Sequence, residues 1–95
     1  MTSSAVRTQS HAEIVATLVQ YIITQHPSRY TAESLPRDQS MLELEVLDSA
    51  GVIELIVYVE ATWNIEISDE DITKERMGSL NKLADLVLNY ADRKN

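Results

Sequence analysis

Apolar residues recur at steps of three and four in three segments, and this spacing constrains the fold more than any other feature of the sequence. The residues that share a face are Ile14, Leu18, Tyr21 and Ile22 in the first segment, Val52, Leu55, Ile56, Val59 and Trp63 in the second, and Leu80, Leu83, Ala84, Val87 and Tyr90 in the third. Such a period places them on one stripe of an α-helix. The chain has only two glycines, too few for the turns of an all-β fold. The sequence therefore predicts an all-α protein.

The first helix is predicted to run from Ser10 to Gln25. Ser10 with Glu13 three residues later is a capping-box pattern, and Pro27 ends the helix because the residue before a proline avoids the α conformation. Residues 27–47 lack a helical period and are rich in turn formers, so they are predicted to be a long loop with a short helical turn near Ser40 to Leu44. The side chains expected to hold this loop against the core are Tyr30, Leu35, Met41, Leu42, Leu44 and Val46.

The second helix is predicted to run from Ser49 to Trp63 or Asn64, and an extended connection follows through residues 65–68. A short acidic helix then runs from Ser68 or Asp69 to about Glu75 and ends at Gly78. Its expected core anchors are Ile72 and Met77. Ser79 caps the last helix. Three main helices and one short helix make a four-helix bundle, with the long loop between the first and second helices.

Carboxylates are concentrated in the middle of the chain, whose overall charge is −7. Residues 33–75 hold twelve of the fifteen Asp and Glu residues, against Arg37, Lys74 and the adjacent Arg76, so this part carries about −9. Nucleic acid is disfavoured as a partner because phosphate binding needs clustered Lys and Arg. A basic protein surface would be attracted instead, although an acidic surface can also serve solubility alone.

Several catalytic and metal-binding classes lack the residues that they need. No cysteine is present, which excludes a disulfide framework and a thiol nucleophile. A serine nucleophile needs a base within reach, but His11 and His26 flank the first helix, and they are too far apart to share a metal. A calcium loop starting at Asp69 would need Gly and Glu where Lys74 and Leu80 stand. We therefore expect a protein that is not an enzyme, has no metal site and uses both histidines as plain polar residues.

The segment LDSAGVIEL, residues 47–55, marks the start of the second helix. The Asp48 carboxylate can accept a hydrogen bond from a free N–H group of the first turn, so Asp48 is the predicted N-cap. Ser49 then lies in the first turn and points outward. Opposite the core stripe, Glu54 and Glu60 flank a set of apolar residues: Ala50, Ile53, Val57 and Ala61. This pattern indicates a docking surface, unless the long loop buries the helix on all sides.

The longer segment LDSAGVIELIVYVEATWNIEISDED resembles the Asp-Ser segment and following helix of acyl carrier proteins. The similarity extends upstream through DQSMLELEVLDS and downstream through SLNKLADLV, over roughly residues 10–91. In that family the serine carries 4′-phosphopantetheine, whose thiol holds an acyl or aminoacyl group as a thioester, and Ser49 is the matching position. Ala50 followed by Gly51 is closer to specialised stand-alone carriers and D-alanyl carriers than to the housekeeping fatty-acid carrier. Ser68 replaces a frequent proline.

The resemblance implies a carrier that delivers a thioester-bound group between enzymes of fatty acid, polyketide or nonribosomal biosynthesis. A phosphopantetheinyl transferase would attach the cofactor from coenzyme A to Ser49, next to Asp48. The helix N-terminus would stabilise the resulting phosphodiester. Further partners would be acyl- or aminoacyl-activating and transferring enzymes with basic docking surfaces. The residues expected to contact them are Ala50, Ile53, Glu54, Val57 and Glu60.

A different class of function stays open, namely an unmodified acidic adaptor domain that binds protein helices through the same face of the second helix. For both functions we expect a monomer. Residues 1–10 resemble neither a secretory signal nor a membrane anchor, so a cytoplasmic location is expected. The expected organisation is a flexible segment at residues 1–9, the carrier domain at residues 10–91 and a frayed tail at residues 92–95.

Overall fold

A computed structural model of the chain describes residues 10–73 and 77–93. For residues 92 and 93 it describes the backbone alone. It contains three α-helices in this part of the chain, α1 (His11–Gln25), α2 (Ser49–Trp63) and α3 (Leu80–Arg93), together with a 3-10 helix at Asp69–Asp71. The described residues include no strand, so the all-α prediction is confirmed. The fourth helix of the predicted bundle is not confirmed: the described part of that segment contains the 3-10 helix, and residues 74–76 lie outside the described range. The predicted flexible segment at residues 1–9 also lies outside it.

Helix α1 begins at the predicted capping box. The Ser10 hydroxyl accepts a hydrogen bond from the Glu13 N–H at 3.1 Å, and the Glu13 carboxylate accepts one from the Ser10 N–H at 2.8 Å. At the other end, the His26 N–H donates to the Ile22 carbonyl at 2.8 Å. The buried face of the helix consists of Ile14, Val15, Leu18, Val19 and Ile22. Helix α1 packs on α3, which also contacts α2.

The loop of residues 27–47 is held to the core as predicted at most of its apolar positions. Leu35, Met41 and Val46 are buried, and Tyr30 and Leu44 are half-buried against the core. The prediction for Leu42 is wrong, because its side chain is 45% exposed. Leu42 directly follows Met41 in the predicted helical turn, where the Leu44 N–H donates to the Ser40 carbonyl at 3.0 Å. Consecutive residues of a helical turn point in different directions, so burying Met41 turns Leu42 toward solvent.

The connection after α2 is tied to both neighbouring helices. Ile65 and Ile67 are buried, and the Ile67 N–H donates to the Glu60 carboxylate at 2.9 Å. From α3, the Tyr90 hydroxyl accepts a hydrogen bond from the Ser68 N–H at 2.9 Å and donates to the buried Asp71 carboxylate. Residues 65–68 thus form a connection that is neither helix nor strand, and the N–H groups of Ile67 and Ser68 bond to side chains.

Helix α3 buries the predicted stripe of Leu80, Leu83, Ala84, Val87 and Tyr90. Its predicted cap is also confirmed, because the Ser79 hydroxyl accepts a hydrogen bond from the Lys82 N–H at 3.2 Å. Met77 is half-buried and packs against the core. The prediction that Ile72 anchors the core is wrong: it is 38% exposed, since the preceding Asp71 takes the inward position facing Tyr90.

No helix among the described residues is both long enough and apolar enough to cross a membrane.

Candidate functional site

The candidate site is the start of α2, where the chain leaves an extended conformation and enters the helix. Asp48 has φ −98° and ψ −174°, and its carboxylate Oδ1 accepts a hydrogen bond from the Gly51 N–H at 2.7 Å. The Asp48 carbonyl accepts the first helical bond, from the Val52 N–H at 2.9 Å. Asp48 is therefore the N-cap that the sequence predicts. Ser49, the first helical residue, is exposed.

This geometry leaves polar groups available beside the Ser49 hydroxyl. With the Gly51 and Val52 N–H groups bonded to Asp48, the N–H groups of Ser49 and Ala50 are the two of the first turn that have no acceptor within the helix. The aligned peptide dipoles give this end of α2 a partial positive charge. An anionic group joined to the Ser49 oxygen would lie close to both.

Gly51 brings the end of α1 against the start of α2. A Cβ atom at this position would lie 3.2 Å from Asp48 Oδ1, 3.3 Å from His26 Cε1 and 3.3 Å from Leu47 Cδ2. These separations are shorter than ordinary van der Waals contact, so a residue without a side chain lets the imidazole pack directly on the helix start. Ser49 and His26 consequently line the same open cleft, which has a volume of about 440 Å³.

His26 is a residue of the site that the sequence reasoning did not identify. It is separated from Ser49 by the whole long loop, and no motif links the two. Its Nε2 atom is buried without a hydrogen-bond partner and lies 3.5 Å from Oε1 of Glu54. Although His26 is far from Ser49 in the sequence, the fold brings the two residues to one cleft, so sequence separation does not exclude a serine nucleophile here. Among the described residues, however, no hydrogen bond joins Ser49 to His26. The two residues therefore line one cleft, together with the acidic residues Glu45 and Asp48, without forming a nucleophile–base pair.

The last turn of the long loop also lines this cleft. The Glu45 N–H donates to the Leu42 carbonyl and the Val46 N–H donates to the Met41 carbonyl, both at 3.0 Å. This pair of bonds is a Schellman motif, in which the penultimate residue adopts the left-handed conformation. That residue is Glu45, with φ 60°. Glu45 is thereby one of the residues that line the cleft containing Ser49.

The outer face of α2 carries the residues that the sequence assigned to partner binding. Ala50 and Ala61 are exposed, Ile53 is 63% exposed and Val57 is 59% exposed. The long loop therefore does not cover this face. Glu54 is exposed, whereas Glu60 is half-buried and already accepts the hydrogen bond from Ile67. Partner binding by these residues stays a prediction, and Glu60 also has a structural role.

An aromatic group adjoins this face on the side of α1. The rings of Tyr21 and Tyr58 are stacked with their centroids 4.2 Å apart, and Tyr58 meets Trp63 edge to face at 6.4 Å. Desolvation, followed by the charge of Glu54 and the neighbouring Tyr58, raises the pKa of Tyr21. The Tyr21 hydroxyl is therefore neutral at physiological pH and adds no negative charge to that of Glu54.

A second, apolar cleft of about 250 Å³ lies next to the one that contains Ser49. Leu42 and Leu47 line both clefts. The apolar side chains that line the second cleft are Met41, Leu42, Leu47, Val52, Leu55, Ile72 and Met77. An apolar group tethered near Ser49 would thus have a nonpolar surface within a short distance.

Comparison of the sequence with protein-family models gave no match, and a search among curated proteins found no relative.

Proposed function

We propose that the protein is a carrier that holds an acyl or aminoacyl group as a thioester on a 4′-phosphopantetheine arm attached to Ser49. The observation that carries the proposal is the exposed hydroxyl of Ser49 at a helix start capped by Asp48, within the segment LDSAGVIEL. The resemblance of this segment and its surroundings to acyl carrier proteins supports the same assignment. The proposal includes a cytoplasmic, monomeric protein with the four-helix bundle of those carriers.

The residues around Ser49 fit a phosphodiester. Its negative charge would lie at the N-terminus of α2, where the N–H groups of Ser49 and Ala50 can donate to phosphate oxygens. Asp48 serves attachment indirectly, because its bond to the Gly51 N–H fixes the helix start and hence the direction of the Ser49 hydroxyl. When bound, the arm supplies a thiol for thioester formation; the chain itself supplies position and recognition.

The neighbouring apolar cleft supports cargo with an apolar part. Burying such a group against Leu47 and Val52 would remove nonpolar surface from water, whereas a charged group would lose hydration there. The transferring enzymes would approach over the outer face of α2, where Ile53 and Val57 supply apolar contact and Glu54 attracts basic residues.

The test is incubation with coenzyme A and a panel of broad-specificity phosphopantetheinyl transferases, followed by mass spectrometry of the intact protein. Wild type should gain one phosphopantetheinyl group, and Ser49→Ala should gain none while keeping its helical circular dichroism, because an exposed hydroxyl contributes little to packing. Ser28→Ala, which removes another exposed serine, is the matched control and should be modified like wild type. A wild-type protein that no transferase modifies would remove the proposal and leave the acidic adaptor domain.

That alternative is supported by one observation, the exposed apolar face of α2, which needs no modification to bind a protein helix. The two functions differ at Ser49. An adaptor would bind its partner equally well as wild type and as Ser49→Ala, whereas a carrier would lose its activity in that variant.

A further inference from the structure

Glu45 has a backbone conformation that does not suit its side chain. Glycine usually occupies the left-handed position of a Schellman motif, and asparagine sometimes does, because a β-carbon is crowded there. The end of α2 follows this rule, with Asn64 at φ 54°. The turn that precedes Ser49 does not, since it has Glu45 at φ 60°. A residue kept in a costly conformation is a reason to look for a role of its side chain.

The carboxylate of Glu45 is also the one at the site that makes no internal contact. Asp48 accepts the Gly51 N–H, Glu60 accepts the Ile67 N–H, and Glu54 lies 3.5 Å from His26. Within the described residues, the Glu45 side chain has neither a hydrogen bond nor an ion pair, and it is exposed on the rim of the cleft that contains Ser49. It is therefore placed for a cation from outside the chain.

We propose that Glu45 is a recognition residue that binds a Lys or Arg side chain on the enzymes that act at Ser49. This inference rests on the proposed function and adds a second acidic contact to the one proposed for Glu54. A basic group bound at Glu45 would fix the orientation of the enzyme about Ser49, which the outer face of α2 alone would leave less defined. The Schellman turn places Glu45 at the cleft, at the expense of backbone strain.

Two substitutions separate the charge of Glu45 from its backbone conformation. Glu45→Gln keeps the strain and removes the charge, so it should leave Tm unchanged and lower kcat/KM for modification by about threefold at about 0.1 M salt. Glu45→Gly should lower kcat/KM to the same extent while raising Tm by a few °C, because glycine tolerates the left-handed conformation. Glu66→Gln removes an exposed charge from the connection after α2 and should change neither quantity.

The assay is modification by a purified phosphopantetheinyl transferase with coenzyme A, measured for all four proteins at about 0.1 M and about 1 M salt. Convergence of wild type and Glu45→Gln at high salt, where surface charges are screened, supports the proposal. Equal rates for the two at low salt overturn it and leave the proposed function standing. The same holds if Glu66→Gln is slowed as much as Glu45→Gln. A wild-type protein that is not modified at all overturns both.

Discussion

Gly51 shows how one missing side chain determines the geometry around Ser49. A Cβ atom at this position would crowd the Asp48 cap, the His26 ring and the buried Leu47 side chain at once. The cap oxygen cannot retreat without weakening its bond to the Gly51 N–H, and Leu47 is confined by the core. The contact between α1 and α2 beside Ser49 thus depends on this glycine.

Gly51→Ala should therefore destabilise the protein by about 1 kcal/mol, because the crowding of a buried site outweighs the higher helix propensity of alanine. Urea unfolding followed by circular dichroism measures the change. Removing the imidazole relieves one of the three short contacts, so Gly51→Ala should lower the stability by less in a His26→Ala background. An alanine variant as stable as wild type would show that the neighbouring groups yield.

Single residues also show where sequence reasoning succeeds and where it ends. Asp48 and Ser49 could be placed because a helix cap is a local pattern of a few residues. His26 could not be placed beside them, since the path of a long loop decides where its ends meet. Glu45 escaped notice because nothing in its residue type predicts a left-handed backbone, and Leu42 was misplaced because an apolar residue on a short turn has no period that fixes its side.

Tyr90 links two parts of the chain through one hydroxyl. Tyr90→Phe removes the acceptor for the Ser68 N–H and one donor to the buried Asp71 carboxylate. The loss should lower stability by about 1–3 kcal/mol, as expected when buried polar groups lose a partner. Urea unfolding gives the magnitude, and faster hydrogen exchange at the Ser68 amide would locate the effect. Unchanged exchange there would mean that water or another group replaces the hydroxyl.

At the scale of elements, α2 has two apolar faces, and both could be predicted from helical spacing. Leu55, Ile56, Val59 and Trp63 face the core, while Ile53 and Val57 face solvent. Both faces can be recognised in one helix because the residues of each face recur at steps of three or four. The region after residue 68 was less predictable, because a single turn offers too few residues for a period, and the acidic segment proved to be a 3-10 helix over its first three residues.

The two faces of α2 should respond differently to truncation. Trp63 is 4% exposed, so Trp63→Ala should lower stability by about 3–5 kcal/mol through the cavity that it leaves. Val57→Ala shortens an exposed side chain of the same helix and should change stability by less than about 0.5 kcal/mol. Chemical denaturation of both variants tests the assignment. Similar losses for the two would contradict the orientation of the helix.

At the scale of the whole molecule, the charge of −7 produces a field that favours basic partners. Association with a transferase should therefore weaken with salt, since the Debye length falls from about 10 Å at 0.1 M to about 3 Å at 1 M. Glu54→Lys should slow association by replacing attraction with repulsion, and it should do so less at high salt. Ile53→Ala should weaken binding through lost apolar contact, with little dependence on salt.

Association rates at two ionic strengths distinguish these effects. A partner that binds wild type equally at both, and that tolerates Glu54→Lys, would indicate that the acidic surface serves solubility and that docking occurs elsewhere. The sequence was sufficient to predict the negative charge that produces this field, because net charge is a sum over residues and does not depend on the fold. It could not predict which carboxylates are free to act, since that depends on internal bonds such as the one between Glu60 and Ile67.

The position of the single tryptophan has an optical consequence. Trp63 closes the helix that Ser49 opens, fourteen residues and about 21 Å away along its axis. Its indole is enclosed by the core and by the Tyr58 ring, so its emission depends on the packing of α2 and not on the chemistry at Ser49. If Ser49 is modified as proposed, intrinsic fluorescence can therefore follow the folded fraction during the modification reaction, and the two processes can be timed independently in one sample.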